Sequence, residues 1–136
     1  MKKYKFLLVA ANFYPEITLD LLKGAQKHLD KNGHKFDTTF TKGSLEIPTK
    51  ISMKLNKRKY DAVVAIGCII KGKTDHYEFI ANAITKTLLE LSIKNNLPIS
   101  NSILTCRNIK QAKERSSKKL NRAKEAVEAA IAVLQD

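Results

Sequence analysis

No apolar run in this chain is long enough to cross a bilayer. The longest, such as Phe6 to Ala11 and Ala62 to Ile66, fall far short of the roughly 20 residues a spanning helix needs. Met1-Lys2-Lys3 looks like the start of a signal peptide, but the apolar stretch soon meets Asn12, Tyr14, Pro15 and Glu16, and no small-residue cleavage site follows. The expected compartment is the cytoplasm, with no membrane partner. Cysteine is scarce: Cys68 and Cys106 are the only two, each following an expected strand. A reducing compartment disfavours a disulfide between them, and two thiols without a matching histidine pair form no zinc pattern. The expectation is small buried thiols and no metal. Acidic residues are few, 13 against 25 Lys and Arg, for a net charge of +12. Such a balance suits nucleic acid, an anionic membrane surface, phosphorylated substrates, or lysines that merely solvate helix faces. The densest basic stretches, Lys54 to Lys59 and Lys110 to Lys124, lack interleaved aromatics and match no RNA- or DNA-reading motif. Nucleic acid is therefore set aside as a main partner. With no internal repeat, low-complexity tract or linker, 136 residues at 43% hydrophobic content fit one domain, residues 1–136.

What is present alternates strand and helix. Tyr4 to Ala11 is nearly all apolar, as a strand buried on both faces should be. Pro15 and Glu16 suit a first helical turn, Ile17, Leu21, Ala25 and Leu29 form a stripe, and Asn32-Gly33 supplies the stop. His34 to Thr41 reads as a strand, Glu46 to Arg58 as a helix, and Tyr60 to Gly67 as a third strand. A long helix is expected from Thr74 to Asn95, with Ile80, Ala83, Ile84, Thr87, Leu88 and Leu91 facing inward. Ile99 to Thr105 makes a weaker fourth strand, followed by helical patterns over Asn108 to Lys119 and Asn121 to Leu134. This order predicts a flavodoxin-like three-layer α/β/α sandwich with a four-stranded parallel sheet, order 2-1-3-4. Right-handed crossovers then place all four loops after strands on one edge: Asn12 to Tyr14, Lys42 to Pro48, Cys68 to Lys73, and Thr105 to Asn108.

Those loops hold the unusual residues. The segment Gly67-Cys68-Ile69-Ile70-Lys71-Gly72-Lys73-Thr74-Asp75-His76 turns from a buried strand into a helix start, where open α/β sheets hold ligands. Free N–H groups there favour an anion, Lys71 and Lys73 add positive charge, and Thr74 adds a donor. His76 is the nearby side chain whose ordinary pKa lies close to cell pH. Together they suggest chemistry on a small phosphorylated molecule. Phe13 reads either as a loop-anchoring core aromatic or as a ring stacked on a planar heterocycle. Glu46 satisfies a helix dipole or accepts hydrogen bonds from a polyol, with Gly43 letting backbone approach closely. His76 is a packed or solvated helix residue or a proton shuttle. Arg115 is a salt-bridging surface residue or a phosphate clamp. His28 and His34 have no such setting and are expected at the surface.

In order, these segments resemble the lumazine synthase (6,7-dimethyl-8-ribityllumazine synthase) family over nearly the whole chain. The residues that carry the resemblance are Asn12-Phe13, Gly43-Ser44-Leu45-Glu46-Ile47-Pro48, Gly67 to His76 with its Gly-x-Thr-x-His element, and Leu104-Thr105-Cys106-Arg107-Asn108-Ile109-Lys110-Gln111-Ala112-Lys113-Glu114-Arg115. The resemblance implies condensation of 5-amino-6-(D-ribitylamino)uracil with 3,4-dihydroxy-2-butanone 4-phosphate in riboflavin biosynthesis, releasing phosphate and water. Phe13 would stack on the pyrimidine. Ser44, Leu45, Glu46 and the backbone of Cys68, Ile69 and Ile70 would hold the ribityl chain and ring edge. Thr74, the backbone near Lys73, and Arg115 would bind phosphate, and His76 would be catalytic, moving protons during imine formation and phosphate elimination. No metal or redox cofactor is implied.

Three positions depart from the family pattern. Leu45 replaces a usual Phe, and Lys71 replaces a usual Arg. Asn101 stands where many members place a Phe that a neighbouring subunit offers to the pyrimidine. Ser116 to Asn121 replaces the Gly-rich segment of shell-forming members, and no extra strand precedes Tyr4. Both features lead us to expect a homopentamer rather than a sixty-subunit shell. Two other classes remain open: a relative that retains flavin or lumazine without efficient turnover, and a basic nucleic-acid-binding module.

Overall fold

The computed structural model describes residues 2–72 and 76–135. Four strands, β1 (Lys5–Ala11), β2 (Lys35–Thr41), β3 (Ala62–Ile70) and β4 (Ile99–Cys106), form one parallel sheet in the order β2-β1-β3-β4. Five helices connect and cover them: α1 (Pro15–Lys31), α2 (Ile47–Lys57), α3 (His76–Asn95), α4 (Ile109–Ser116) and α5 (Arg122–Leu134). The expected three-layer α/β/α architecture and strand order are borne out.

The inner strand β1 is buried on both faces, and its residues alternate between two cores. Phe6, Leu8 and Ala10 pack with Leu21, Ala25 and Leu29 of α1 and Val127 and Ala130 of α5. Leu7, Val9 and Ala11 pack on the other face with Ile47 and Ile51 of α2 and Ile84 and Leu88 of α3. Each large aliphatic side chain buried this way contributes about 1.5–3 kcal/mol of transfer free energy. Helix α1 begins with Pro15 at its first turn, where no backbone donor is lost, and stops where Gly33 takes a positive φ of 76°.

Several boundaries differ from the sequence expectation, and each difference has a cause. Strand β3 runs three residues past Gly67, because Cys68, Ile69 and Ile70 pair with Leu104, Thr105 and Cys106 of β4. Cys68 to Ile70 and Cys106 are therefore strand rather than loop. The helix expected from Glu46 is preceded by a single 3-10 turn over Ser44–Glu46, and α2 proper starts at Ile47. On α3, Ile84 and Leu88 are buried and Ile80 and Leu91 half-buried, whereas Ala83 and Thr87 face solvent. The Thr87 hydroxyl is turned back to donate to the Ala83 carbonyl at 2.8 Å.

His34 also departs from expectation. It is 4% exposed, accepting the Tyr4 N–H on Nδ1 at 3.0 Å and stacking on the Tyr4 ring with centroids 5.4 Å apart. The tight turn at Gly33 folds it back over the start of β1. Burial and the Lys3 charge hold its imidazole below the ordinary pKa. His28 is half-buried rather than at the surface. The final two helical patterns are separate helices, because Asn121 caps α5 by accepting from the Ala123 and Lys124 amides at 3.0 Å each.

Candidate active site

All parallel strands end on one edge, and the order β2-β1-β3-β4 reverses direction across β1 and β3. This is the switch point beside which such sheets take ligands. After β1 the chain turns through Asn12 and Phe13, with the Asn12 amide donating to the Thr41 carbonyl at 2.9 Å. That bond ties the ends of β1 and β2 together. Phe13 is 68% exposed and meets Tyr14 edge-on at 5.1 Å, so it is not a core anchor. Exposing an aromatic ring beside a sheet edge costs hydrophobic free energy that a stacking ligand would recover.

After β2, the Thr41 hydroxyl donates to the Gly43 carbonyl at 2.8 Å, shaping the loop into the 3-10 turn. Ser44 is buried there, its Oγ lying where a Cβ on Gly67 would come within 2.9 Å. Glycine at 67 is thus what lets the turn seat against β3. Leu45, by contrast, is 55% exposed. Glu46 accepts the Gly43 N–H on Oε1 at 2.9 Å, a local cap that leaves its second oxygen without a hydrogen bond among the described residues. The two readings of Glu46 are therefore compatible.

The overhang of β3 forms the next wall. Pairing with β1 ends at Ala10 opposite Ile66, while pairing with β4 continues to Ile70 opposite Cys106. From Cys68 to Ile70, the backbone edge facing away from β4 has no strand beside it among the described residues, and backbone polar groups need a partner. The Lys71 amide donates to the Cys106 carbonyl at 2.8 Å, carrying the pairing one step further, and its Nζ lies 5.6 Å from the Tyr77 ring centroid. The Cys68 side chain points the other way, into the α1/α5 core. Burial first, then the neighbouring Cys106 thiol, push it up to about 12, so it is an inert thiol at neutral pH. Both cysteines are free and buried, as expected. Lys73 and Thr74 lie outside the described residues. His76 is exposed and is the first residue of α3.

Arg115 is half-buried, and its Nη1 donates to the Thr105 carbonyl at 3.2 Å and to the Cys106 sulfur at 3.5 Å. A guanidinium pinned at the end of β4 is no free surface arginine. Sequence reasoning missed Cys106 as a support for it, because only the register shows a thiol beneath the α4 side chain. Asn101 lies apart. It sits four residues before Thr105, roughly 13 Å along the strand, where it donates to Thr85 Oγ1 at 3.3 Å and accepts the Ile103 N–H at 2.9 Å. With Thr105, Arg115 and Arg122 it lines a cleft of about 380 Å³ along the outer side of β4.

The arrangement therefore has two parts. Phe13, Ser44, Leu45, Glu46, the β3 overhang and His76 ring the carboxyl edge, and Asn101 shares the β4 cleft with Arg115. Among the described residues no cluster of three or more His, Cys, Asp or Glu side chains could hold a metal ion. No described helix is long and apolar enough to cross a membrane.

Fold and site define a three-layer α/β protein whose sheet edge presents an exposed ring, a backbone ledge and a fixed guanidinium. Comparison with known proteins gives this class a family. Residues 3–136 match the model for 6,7-dimethyl-8-ribityllumazine synthase. The chain is 42% identical to the 6,7-dimethyl-8-ribityllumazine synthase of Bartonella tribocorum over 98% of its own length and 89% of the relative's. It is 39% identical to that of Bartonella bacilliformis over 94% and 86% of the two chains. Against that of Afipia carboxidovorans it is 36% identical over 96% and 84%. The chain belongs to the 6,7-dimethyl-8-ribityllumazine synthase family.

Proposed function

We propose that this chain, as one domain, is a transferase that condenses 5-amino-6-(D-ribitylamino)uracil with 3,4-dihydroxy-2-butanone 4-phosphate to give 6,7-dimethyl-8-ribityllumazine, phosphate and water. Membership of the family over residues 3–136 is the observation that carries this reading. Phe13 stacks on the pyrimidine. Ser44, Leu45, Glu46 and the backbone of Cys68 to Ile70 hold the ribityl chain and ring edge. Arg115, with Thr74 and the backbone at Lys73, binds the phosphate. His76 carries protons between the amine, the carbinolamine hydroxyl and the leaving phosphate. Most of the acceleration comes from holding two reactants together, which is worth about 7–11 kcal/mol in favourable cases. Proton transfer adds a smaller share.

The site is completed between subunits. Phe13 and Leu45 leave an open apolar surface that covers one face of a planar ligand, and Asn101 and Arg115 look out from the sheet's outer edge. Two copies placed edge against edge bring those halves together. Helix α3 also exposes Phe79, Leu89 and Ile93, an apolar surface suited to burial between copies. A cytoplasmic homopentamer is the assembly we propose. Incubation with both substrates tests the activity: the lumazine absorbance should appear, and its absence while riboflavin binds tightly would leave a binding protein instead. Sedimentation tests the assembly, and a particle much heavier than a decamer would exclude it.

A further inference from the structure

On the face of the molecule formed by α1 and the start of α5 lies a groove of about 540 Å³ that the proposed reaction does not use. One wall carries Lys23, Lys27 and Lys31 of α1. Their i, i+4, i+8 spacing sets them in a row about 6 Å apart along the helix axis. Lys118 and Lys124 form the opposite wall, and Asp20 is the lone acidic residue in the lining. The floor is rigid. Asn121 is 5% exposed and donates to the carbonyls of Asp20 at 2.8 Å and Ser116 at 3.2 Å. A Cβ on Gly24 would fall within 2.2–2.5 Å of the Asn121 side chain, so α1 can approach α5 this closely only with glycine there.

Among the described residues none of the five amines is spent on an ion pair: the salt bridges are Lys5 and Arg58 with Asp37, and Arg122 with Glu125. Five like charges around one concavity repel one another unless an anion shares them. The lining also carries no Phe, Tyr or Trp ring of the kind that stacks successive bases. A span of about 12 Å between Lys23 and Lys31 suits a short chain of phosphates better than a single one. We propose that this groove binds a linear polyphosphate of three or more phosphate groups, at a site separate from the substrate phosphate.

His28 reports on the site from inside it. Its pKa is held low first by burial, with Lys124 and Lys31 lowering it and Glu128 of α5 raising it. A bound polyanion screens those two lysines and raises the pKa of His28, whereas the charge His28 gains acts to lower His34 rather than raise it. The test is calorimetric titration of the full chain with sodium tripolyphosphate, orthophosphate and a single-stranded oligonucleotide, alongside histidine NMR. Expected are saturable binding of tripolyphosphate, at least about tenfold weaker binding of orthophosphate, and an upward shift of His28 alone. Tripolyphosphate affinity should fall about tenfold or more in the combined variant K23Q/K27Q/K31Q. It should be retained in Arg115→Ala. Lumazine formation should be unchanged in the lysine variant. Equal binding of orthophosphate, tighter binding of the oligonucleotide, or loss of binding in Arg115→Ala but not in the lysine variant would each overturn the proposal.

Discussion

At the amino half of the sheet, charged and polar side chains close on one another. The Tyr60 hydroxyl donates to Asp37 at 2.6 Å, Lys5 and Arg58 flank the same carboxylate at 3.6 and 3.5 Å, and the Lys5 amide donates to Asp61 at 2.8 Å. At the carboxyl edge the groups are left open. Phe13 and Leu45 face solvent, Glu46 keeps one oxygen without a hydrogen bond among the described residues, and the β3 backbone overhangs its neighbour. Burying or pairing such groups stabilises a fold, so leaving them exposed is a cost borne where a ligand or a second subunit will arrive. One half holds the sheet together, and the other is prepared to bind.

Substitutions should separate the halves by which quantity they change. The largest effect is expected at His76: replacement by Ala lowers kcat by roughly 10²-fold, the lower end for acid/base catalysis, and flattens the pH–rate profile. A profile identical in shape and height to the parent's would remove His76 from proton transfer. Arg115→Ala comes next. Losing charge-assisted bonds worth about 1.5 kcal/mol or more should raise KM for the phosphorylated substrate about tenfold and leave KM for the pyrimidine almost unchanged. A uniform rise in both would point to damaged structure rather than a lost clamp.

At the other half, Tyr60→Phe should lower stability by about 1 kcal/mol, a few degrees in Tm, with kcat and KM unaltered. Any kinetic effect would show that the halves are not independent. The smallest effects near neutral pH are those of pH itself, and they grow only toward the extremes. Tyr60 is raised from 10.0 to about 12 by burial and by Asp37, so the folded state holds its proton more tightly. That stability is complete below pH 10 and is lost as pH rises toward 12; Cys68, raised from 9.0, adds a loss of the same sign starting lower. On the acid side, His34 is lowered from 6.5, so its contribution is present above that pH and declines as pH falls below it. Thermal melts across pH should show both slopes, and His34→Gln should reduce the acid one.

Much of this was legible in the sequence because it is carried by local pattern. Alternation of apolar strands with striped helices is enough for the parallel sheet and its order, and Gly-x-Thr-x-His after a strand is enough to point at the edge. The misreadings share one cause, which is that pairing partners distant in sequence decide them. Cys68 to Ile70 became strand because β4 extends alongside, and His34 became buried because Tyr4 lies across the turn from it. The hold of Thr105 and Cys106 on Arg115, and the placing of Asn101 in the β4 cleft with Arg115 rather than among the loop residues, are likewise matters of register that no local window contains.

The central claim is that the open edge is a two-substrate catalytic site, and product formation tests it most directly. Purified protein incubated with 5-amino-6-(D-ribitylamino)uracil and 3,4-dihydroxy-2-butanone 4-phosphate should generate 6,7-dimethyl-8-ribityllumazine with one phosphate released per turnover, faster than the uncatalysed mixture. A rate no greater than that of the mixture alone, with the lumazine or riboflavin held tightly, would contradict it.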